Sequence, residues 1–232
     1  MIRLHVEADL TAGAAIEATE GQAHYIGGVM RRAVGDAVHL FNGRDGEWVA
    51  RIATLSRGKA SFAAEMQVRP QARDADLWLM FAVLKRDNTD LVVQKATELG
   101  VSMLLPVFTE RTNAGRVNLD RLRTIAIEAA EQSERLTVPA FRPARQLHDS
   151  LTDWPADRAL FVALERVDAH KPAPPDGPAG LLIGPEGGFS PRDHTVLDRC
   201  RFVRPVSLGP RILRAETAAI VGLALLQAPG WG

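Results

Sequence analysis

Along the first 70 or so residues, apolar and polar positions alternate in short runs, most clearly from Asp36 to Phe41 and from Glu47 to Ile52. A period of two puts successive side chains on opposite faces, so these runs predict half-buried strands. Between them lies Asn42-Gly43-Arg44-Asp45-Gly46, whose glycines adopt at little cost the positive φ that a hairpin turn requires. A small antiparallel barrel or sheet is the expected outcome. The stretch from Gln22 to Arg32 reads as a short helix or loop and carries His24, Arg31 and Arg32.

From Leu77 the period changes. WLMFAVL is an apolar strand candidate, and helical spacing follows from about Asp90 to Leu99, with Leu91, Lys95 and Leu99 one turn apart and Gly100 as the stop. Met103 to Val107 reads as the next strand. Leu122, Ile125, Ala126, Ala129 and Ala130 then form the apolar stripe of a helix from Leu119 to Arg135. Strand candidates recur at Ala159–Leu164, Leu181–Ile183 and Phe202–Leu208, alternating with helices at Pro191–Arg199 and Ala215–Gln227. Strands separated by helices predict an α/β domain with a mainly parallel sheet covered on both faces. The expected division is residues 1–72 and 73–232, with the proline-rich KPAPPDGPAG at 171–180 a loop inside the second part.

Composition narrows the class. The 232 residues allow one large domain or two modest ones, and 46 % hydrophobic with 24 % charged residues excludes wholesale disorder and a fibrous protein. Lys+Arg and Asp+Glu balance at 28 each, so a large positive excess, the simplest nucleic-acid signature, is missing. Only a local basic patch could grip a polyanion. Four of the basic residues are lysines, so the positive charge is almost wholly guanidinium, whose planar fork suits phosphates and carboxylates; genome-wide codon bias is the better explanation of the ratio. The single Cys200 excludes an intrachain disulfide, and no zinc-binding spacing occurs. The start lacks a long apolar signal core, and the run from Ala218 to Leu226 is far short of the roughly 20 residues that span a bilayer. These features predict a cytoplasmic protein without metal or membrane partner.

The most informative segment is LLIGPEGGFSPR at 181–192. It reads as a buried strand, a turn with glycines at 184, 187 and 188, and a helix capped by Ser190 with Pro191 at its first position and Asp193 at its third. Small residues let a ligand approach backbone N–H and C=O groups, although such a turn can also serve only to join strand to helix. It is neither the dinucleotide nor the triphosphate glycine motif. LGPRILRAETA at 208–218 repeats the strand, Gly-Pro, helix order and adds Arg211, Arg214 and Glu216. Arg211 and Arg214, three apart, share a face if helical, either beside a ligand or within an Arg–Glu surface network. Between 192 and 214 six arginines stand against two aspartates, a patch able to neutralise RNA phosphates or simply to be solvated. Glu110, Arg111, Thr112 and Asn113 form a polar strip after a strand end, a candidate substrate edge.

Taken in order, LVVQKATELGV at 91–101, IAIEAAEQSER at 125–135, LLIGPEGGFS at 181–190 and LGPRILRAETAA at 208–219 resemble the small-subunit ribosomal RNA methyltransferase E family. The resemblance spans nearly the whole chain. It implies an α/β fold in which a SPOUT-type, trefoil-knotted parallel-sheet domain follows a small PUA-like β-barrel, and it implies a homodimer. Physical rules alone would reject the knot, since threaded chains are rare. The implied activity is transfer of a methyl group from S-adenosyl-L-methionine to N3 of one uridine of small-subunit (16S) ribosomal RNA near the decoding region, within an assembled ribosomal particle. By motif, Leu164, Ile183, Gly184, Glu186, Gly187 and Gly188 would meet the cofactor on one side, and Leu208, Gly209, Ile212 and Leu213 on the other. Arg214 would face the reacting base, with Glu216 orienting it or accepting a proton. HYIGGVMRRAVGDAVHLFNG at 24–43 resembles the family's histidine-to-arginine barrel segment and implicates His24, Arg31 and Arg32 in RNA binding, together with Arg111 and Arg211. The stretches LKRDNTD and ERTNAGR depart from the family's basic pattern, so charge near Arg86, Arg111 and Arg116 is repositioned. Two alternatives stand beside this reading: a noncatalytic RNA-binding or ribosome-assembly protein that keeps the fold, and a different small-molecule enzyme using the GPEGG crevice.

Overall fold

The alternating N-terminal runs fold as β1 (Arg3–His5), β2 (Ala15–Glu17), β3 (Ala37–Phe41), β4 (Glu47–Ser56) and β5 (Lys59–Arg69) in a computed structural model that describes residues 1–72, 74–113, 115–165 and 169–228. The strands lie in the order β1-β3-β4-β5-β2, with β1 parallel to β3 and every other neighbour antiparallel. The turn at Asn42–Gly46 joins β3 to β4 as its glycines predict. Asn42 Oδ1 accepts the amides of Arg44 and Asp45, and Gly43 and Gly46 take φ of 78° and 74°. A Cβ at position 46 would collide with the Arg69 carbonyl oxygen, so this turn admits only glycine. One face of the sheet buries Leu4, Ile16, Leu40, Ile52 and Phe62, with Ile26 closing over them. Ile26 arrives on a short helix, α1 (Glu20–His24), which starts at a Thr19/Gln22 capping box and runs into a π-helical turn over Tyr25–Val29.

This first unit comprises Met1–Arg73 and also Ala130–Val138, a segment from far along the chain. Arg3 explains its attachment. Its guanidinium donates to the carbonyls of Ala130, Glu131 and Arg135 and pairs with Glu47 at 3.0 Å. Phe41, Ala130 and Leu136 form a small buried cluster beside it.

The second unit, Asp74–Ala129 with Pro139–Gly232, contains the predicted parallel sheet. Its strands are β6 (Leu77–Ala82), β7 (Met103–Phe108), β8 (Ala140–Phe141), β9 (Arg145–Gln146), β10 (Ala159–Ala163), β11 (Ala179–Ile183) and β12 (Val203–Val206). The order is β12-β10-β11-β6-β7-β8, with β9 also on β7 and every pairing parallel. From β6 the chain builds outward through β7, then returns to build β10, β11 and β12 on the other side. Its helices are α2 (Arg86–Glu98), most of α3 (Leu119–Gln132), α4 (Leu147–Thr152), α5 (Pro191–Asp198) and α6 (Ala215–Gln227). Central β11 is buried along its whole length, as an unbroken apolar run requires. Among the described residues, no helix is long and apolar enough to cross a membrane.

Candidate functional site

Parallel strands all point one way, so the loops that follow them collect at one edge of the sheet, and ligands of open α/β sheets bind there, where the strand order reverses. In this unit the loops after β10, β11 and β12 meet at that edge around a cleft of about 590 Å³. The loop after β11 is built as its residues predict. Gly188 donates its amide to Pro185 O and takes φ of 67°, so the backbone doubles back. Ser190 then caps α5, its hydroxyl accepting Asp193 N at 3.1 Å while Asp193 Oδ2 accepts Ser190 N at 2.9 Å, with Pro191 in the first turn. After β12, Gly209 takes φ of 114° and the chain stays non-helical as far as Arg214. Arg214 is the N-cap of α6, with an extended ψ of 154°.

All ten residues that the motifs assign to a cofactor line this cleft, from Leu164 through the 183–188 turn to Leu208, Gly209, Ile212 and Leu213. Arg111 and Arg211 line it too. Arg111 Nη1 donates to the carbonyl of Gly187 at 2.8 Å. Arg211 and Arg214 do not share a helical face: the Gly209-Pro210 turn keeps 211–213 out of α6. No ion pair links either arginine to Glu216 among the described residues. Arg214 and Glu216 stand in the first turn of α6 without lining the cleft, Arg214 exposed and Glu216 only 8 % exposed. The Glu216 Oε2 atom is buried and has no hydrogen-bond partner among the described residues. His24, Arg31 and Arg32 belong to the first unit, and all three are exposed. Arg31 follows the π-helical turn with φ of 51°, an uncommon conformation for a residue with a side chain.

Several lining residues were given no role by the motifs, although Phe189 lies within LLIGPEGGFS. Phe189 and His194 pack edge to face at 6.1 Å on one wall, and Lys171 reaches the cleft from the proline-rich loop. A strand-to-helix alternation can flag the loop after β11, but not which side chain of a long loop will face it. Cys200 is half-buried, and burial pushes its thiol pKa up. Among the described residues no cluster of three or more His, Cys, Asp or Glu is placed to hold a metal ion.

The volume falls in the range of small-molecule sites, about 300–1,000 Å³. The walls combine apolar faces from Leu164, Ile183, Leu208 and Leu213 with the bare backbone of two glycine turns. Such a lining suits a flat heteroaromatic group flanked by polar substituents that backbone groups can bond.

Comparison with known proteins agrees with this geometry. Residues 71–227 match the RNA methyltransferase domain family, and residues 18–64 the RNA methyltransferase PUA domain family. The Ribosomal RNA small subunit methyltransferase E of Rickettsia conorii is 32 % identical over 98 % of this chain and 96 % of its own. The crystal structure of the Neisseria gonorrhoeae protein of that name, bound to S-adenosyl methionine, superposes with a TM-score of 0.90 at 28 % identity, covering 99 % of this chain and 98 % of the other. A Legionella pneumophila methyltransferase structure with bound SAM gives 0.88 at 29 % identity, covering 98 % and 97 %. The shared fold is α/β, a SPOUT-like parallel-sheet domain preceded by a separate PUA-like domain. Matched from end to end in sequence and over both units in fold, the chain belongs to the ribosomal RNA small subunit methyltransferase E family.

Proposed function

We propose that this protein methylates N3 of a specific uridine in small-subunit (16S) ribosomal RNA near the decoding region, using S-adenosyl-L-methionine. The observation that carries the reading is the convergence of two Gly-Pro loops, 184–188 and 208–213, on one cleft at the carboxyl edge of the sheet. Leu164, Ile183, Leu208 and Leu213 would supply apolar walls for the cofactor's adenine end, and backbone groups of 184–188 and 209–212 would be available to bond its polar edges. Bound there, S-adenosyl-L-methionine supplies an electrophilic methyl group on a sulfonium.

The remaining work falls to the chain. The uridine N3 must lose its proton, here to water, as it takes the methyl group and the sulfonium sulfur leaves as a neutral thioether, so negative charge develops on the ring and its carbonyl oxygens on the way. Arg214, exposed at the start of α6 beside the cleft lining at Leu213 and Ala215, is assigned to that charge, where an oriented cation lowers the barrier. Glu216 is assigned as a positioning residue for the first turn of α6: it is 8 % exposed and, unlike Ala215 and Ala218, does not line the cleft. The exposed His24, Arg31 and Arg32 of the first unit are assigned to ribosomal RNA, with Arg211 at the rim of the cleft. The division of labour follows residues 1–72 for RNA engagement and 73–232 for methyl transfer. A homodimer, a trefoil-knotted second unit, a cytoplasmic setting and an assembled particle as substrate belong to the same reading.

The test is a labelled-methyl assay on purified, unmodified small ribosomal subunits, followed by mapping of the labelled base. Label on N3 of a single uridine is expected. RNA binding without transfer would favour an assembly factor, and turnover of a small molecule without RNA would replace the reading altogether.

A further inference from the structure

Arg111 sits in the loop after β7, yet its contacts are with the loop after β11, 76 residues on. The loop that presents it is fixed locally. Thr109 N donates to Thr112 Oγ1 at 2.9 Å, the two threonine hydroxyls are 3.1 Å apart, and Thr112 N returns to Thr109 O. Thr109 is buried, so the turn is anchored at its base. From this turn the Arg111 stem lies flat against Gly187: a Cβ built there would stand 3.6 Å from both Cβ and Cδ of Arg111. The guanidinium continues past it to the Gly187 carbonyl at 2.8 Å. The neighbouring residue, Gly188, is the one at φ 67° whose amide closes the turn onto Pro185.

We propose that Arg111 is a positioning residue for the cofactor loop, holding the Gly184–Gly188 backbone in its binding shape through the Gly187 carbonyl rather than serving first as an RNA contact. This rests on the cofactor reading of the cleft. A bare glycine turn gains its order from outside, since glycine gives up more conformational freedom on ordering than any other residue. A hydrogen bond from a charged donor, laid over by its own aliphatic stem, supplies that order before any ligand arrives. Preorganising a loop in its bound shape raises affinity by removing an ordering cost at binding. Removing the side chain therefore acts on cofactor affinity, through a contact the cofactor itself does not make.

The experiment uses the full chain with Arg111→Ala and Arg111→Lys. Calorimetric titration with S-adenosyl-L-methionine, without RNA, is expected to give about tenfold weaker binding for Arg111→Ala, partly restored in Arg111→Lys. Hydrogen exchange of the ligand-free proteins is expected to show faster exchange at the Gly188 amide in Arg111→Ala. Binding of ribosomal RNA at several salt concentrations is expected to keep the wild-type slope. Cofactor affinity within twofold of wild type, or an unchanged Gly188 exchange rate, would overturn the proposal; a salt slope lowered by about 0.7 per arginine with cofactor affinity intact would make Arg111 an RNA contact instead. If the wild-type protein bound no S-adenosyl-L-methionine, the function proposed above would fall on its own account, while the exchange measurement would still decide whether Arg111 orders the loop.

Discussion

Two positions apart at the start of α6, Arg214 and Glu216 occupy opposite environments, one exposed and one buried with a carboxyl oxygen that has no partner among the described residues. Leaving a buried polar atom unpaired costs on the order of 1–3 kcal/mol, so such an atom beside a cleft calls for a partner or a role. Arg214→Ala is expected to lower the single-turnover rate on ribosomal subunits by about a hundredfold or more, with an unchanged melting temperature and unchanged cofactor affinity. Glu216→Gln keeps the shape of a buried side chain and exchanges its carboxyl for an amide, so turnover is expected to fall while the melting temperature stays at the wild-type value. Wild-type rates in both variants would clear this turn of any part in the chemistry. The residue types were legible from the motif alone. Which of the two is buried was not, because burial of Glu216 depends on how α6 packs against α2 and β11.

Between elements, the polar centre of the first unit is Glu47 on β4. Its side chain is 4 % exposed and bonds Arg3 of β1, His39 of β3 and Arg69 of β5. Arg3 in turn satisfies carbonyls at the end of α3, where a cation also suits the helix dipole. Burial alone would raise the Glu47 pKa; hydrogen bonds from Arg3 and His39 and the charges of Arg3 and Arg69 outweigh it, so the carboxyl titrates below its ordinary value. A folded-state pKa below that of the unfolded chain, about 4.3, contributes stability that is present above that pH and lost as pH falls through the folded value. Urea unfolding is therefore expected to show wild-type stability dropping below about pH 4.3. Glu47→Gln should be about 3 kcal/mol less stable at neutral pH, because Arg3 keeps a buried charge without its counter-ion, and its loss toward acid should be shallower. An equally steep acid loss in the variant would remove Glu47 from that response. None of this hub is readable from local pattern, since Arg3 meets partners up to 132 residues away.

For the molecule as a whole, the balance of 28 basic and 28 acidic residues leaves RNA affinity to placement. Each phosphate neutralised on a single strand contributes about 0.7 to the salt slope of binding. Replacing both Arg31 and Arg32 by alanine is thus expected to reduce that slope by about 1.4 in filter binding of a ribosomal RNA fragment, leaving cofactor affinity alone; an unchanged slope would take both residues out of the RNA contact. The alternation of strand and helix from 77 onward, the hairpin at 42–46 and the cap at 190–193 were all legible, since each is encoded by neighbours in the chain. The short strands β8 and β9 and the helix α4 were not: two-residue strands have no period, and they form because β7 offers an edge to pair with. By itself the sequence determined the longer elements, the two glycine turns and the family, because periodicity, capping and backbone freedom act over a few residues. Only the tertiary structure decided that the loops after β10, β11 and β12 close on one cleft, that Arg111 reaches Gly187, and that Ala130–Val138 folds with the first unit. Those outcomes depend on strand order and on contacts between distant residues, which no local pattern records.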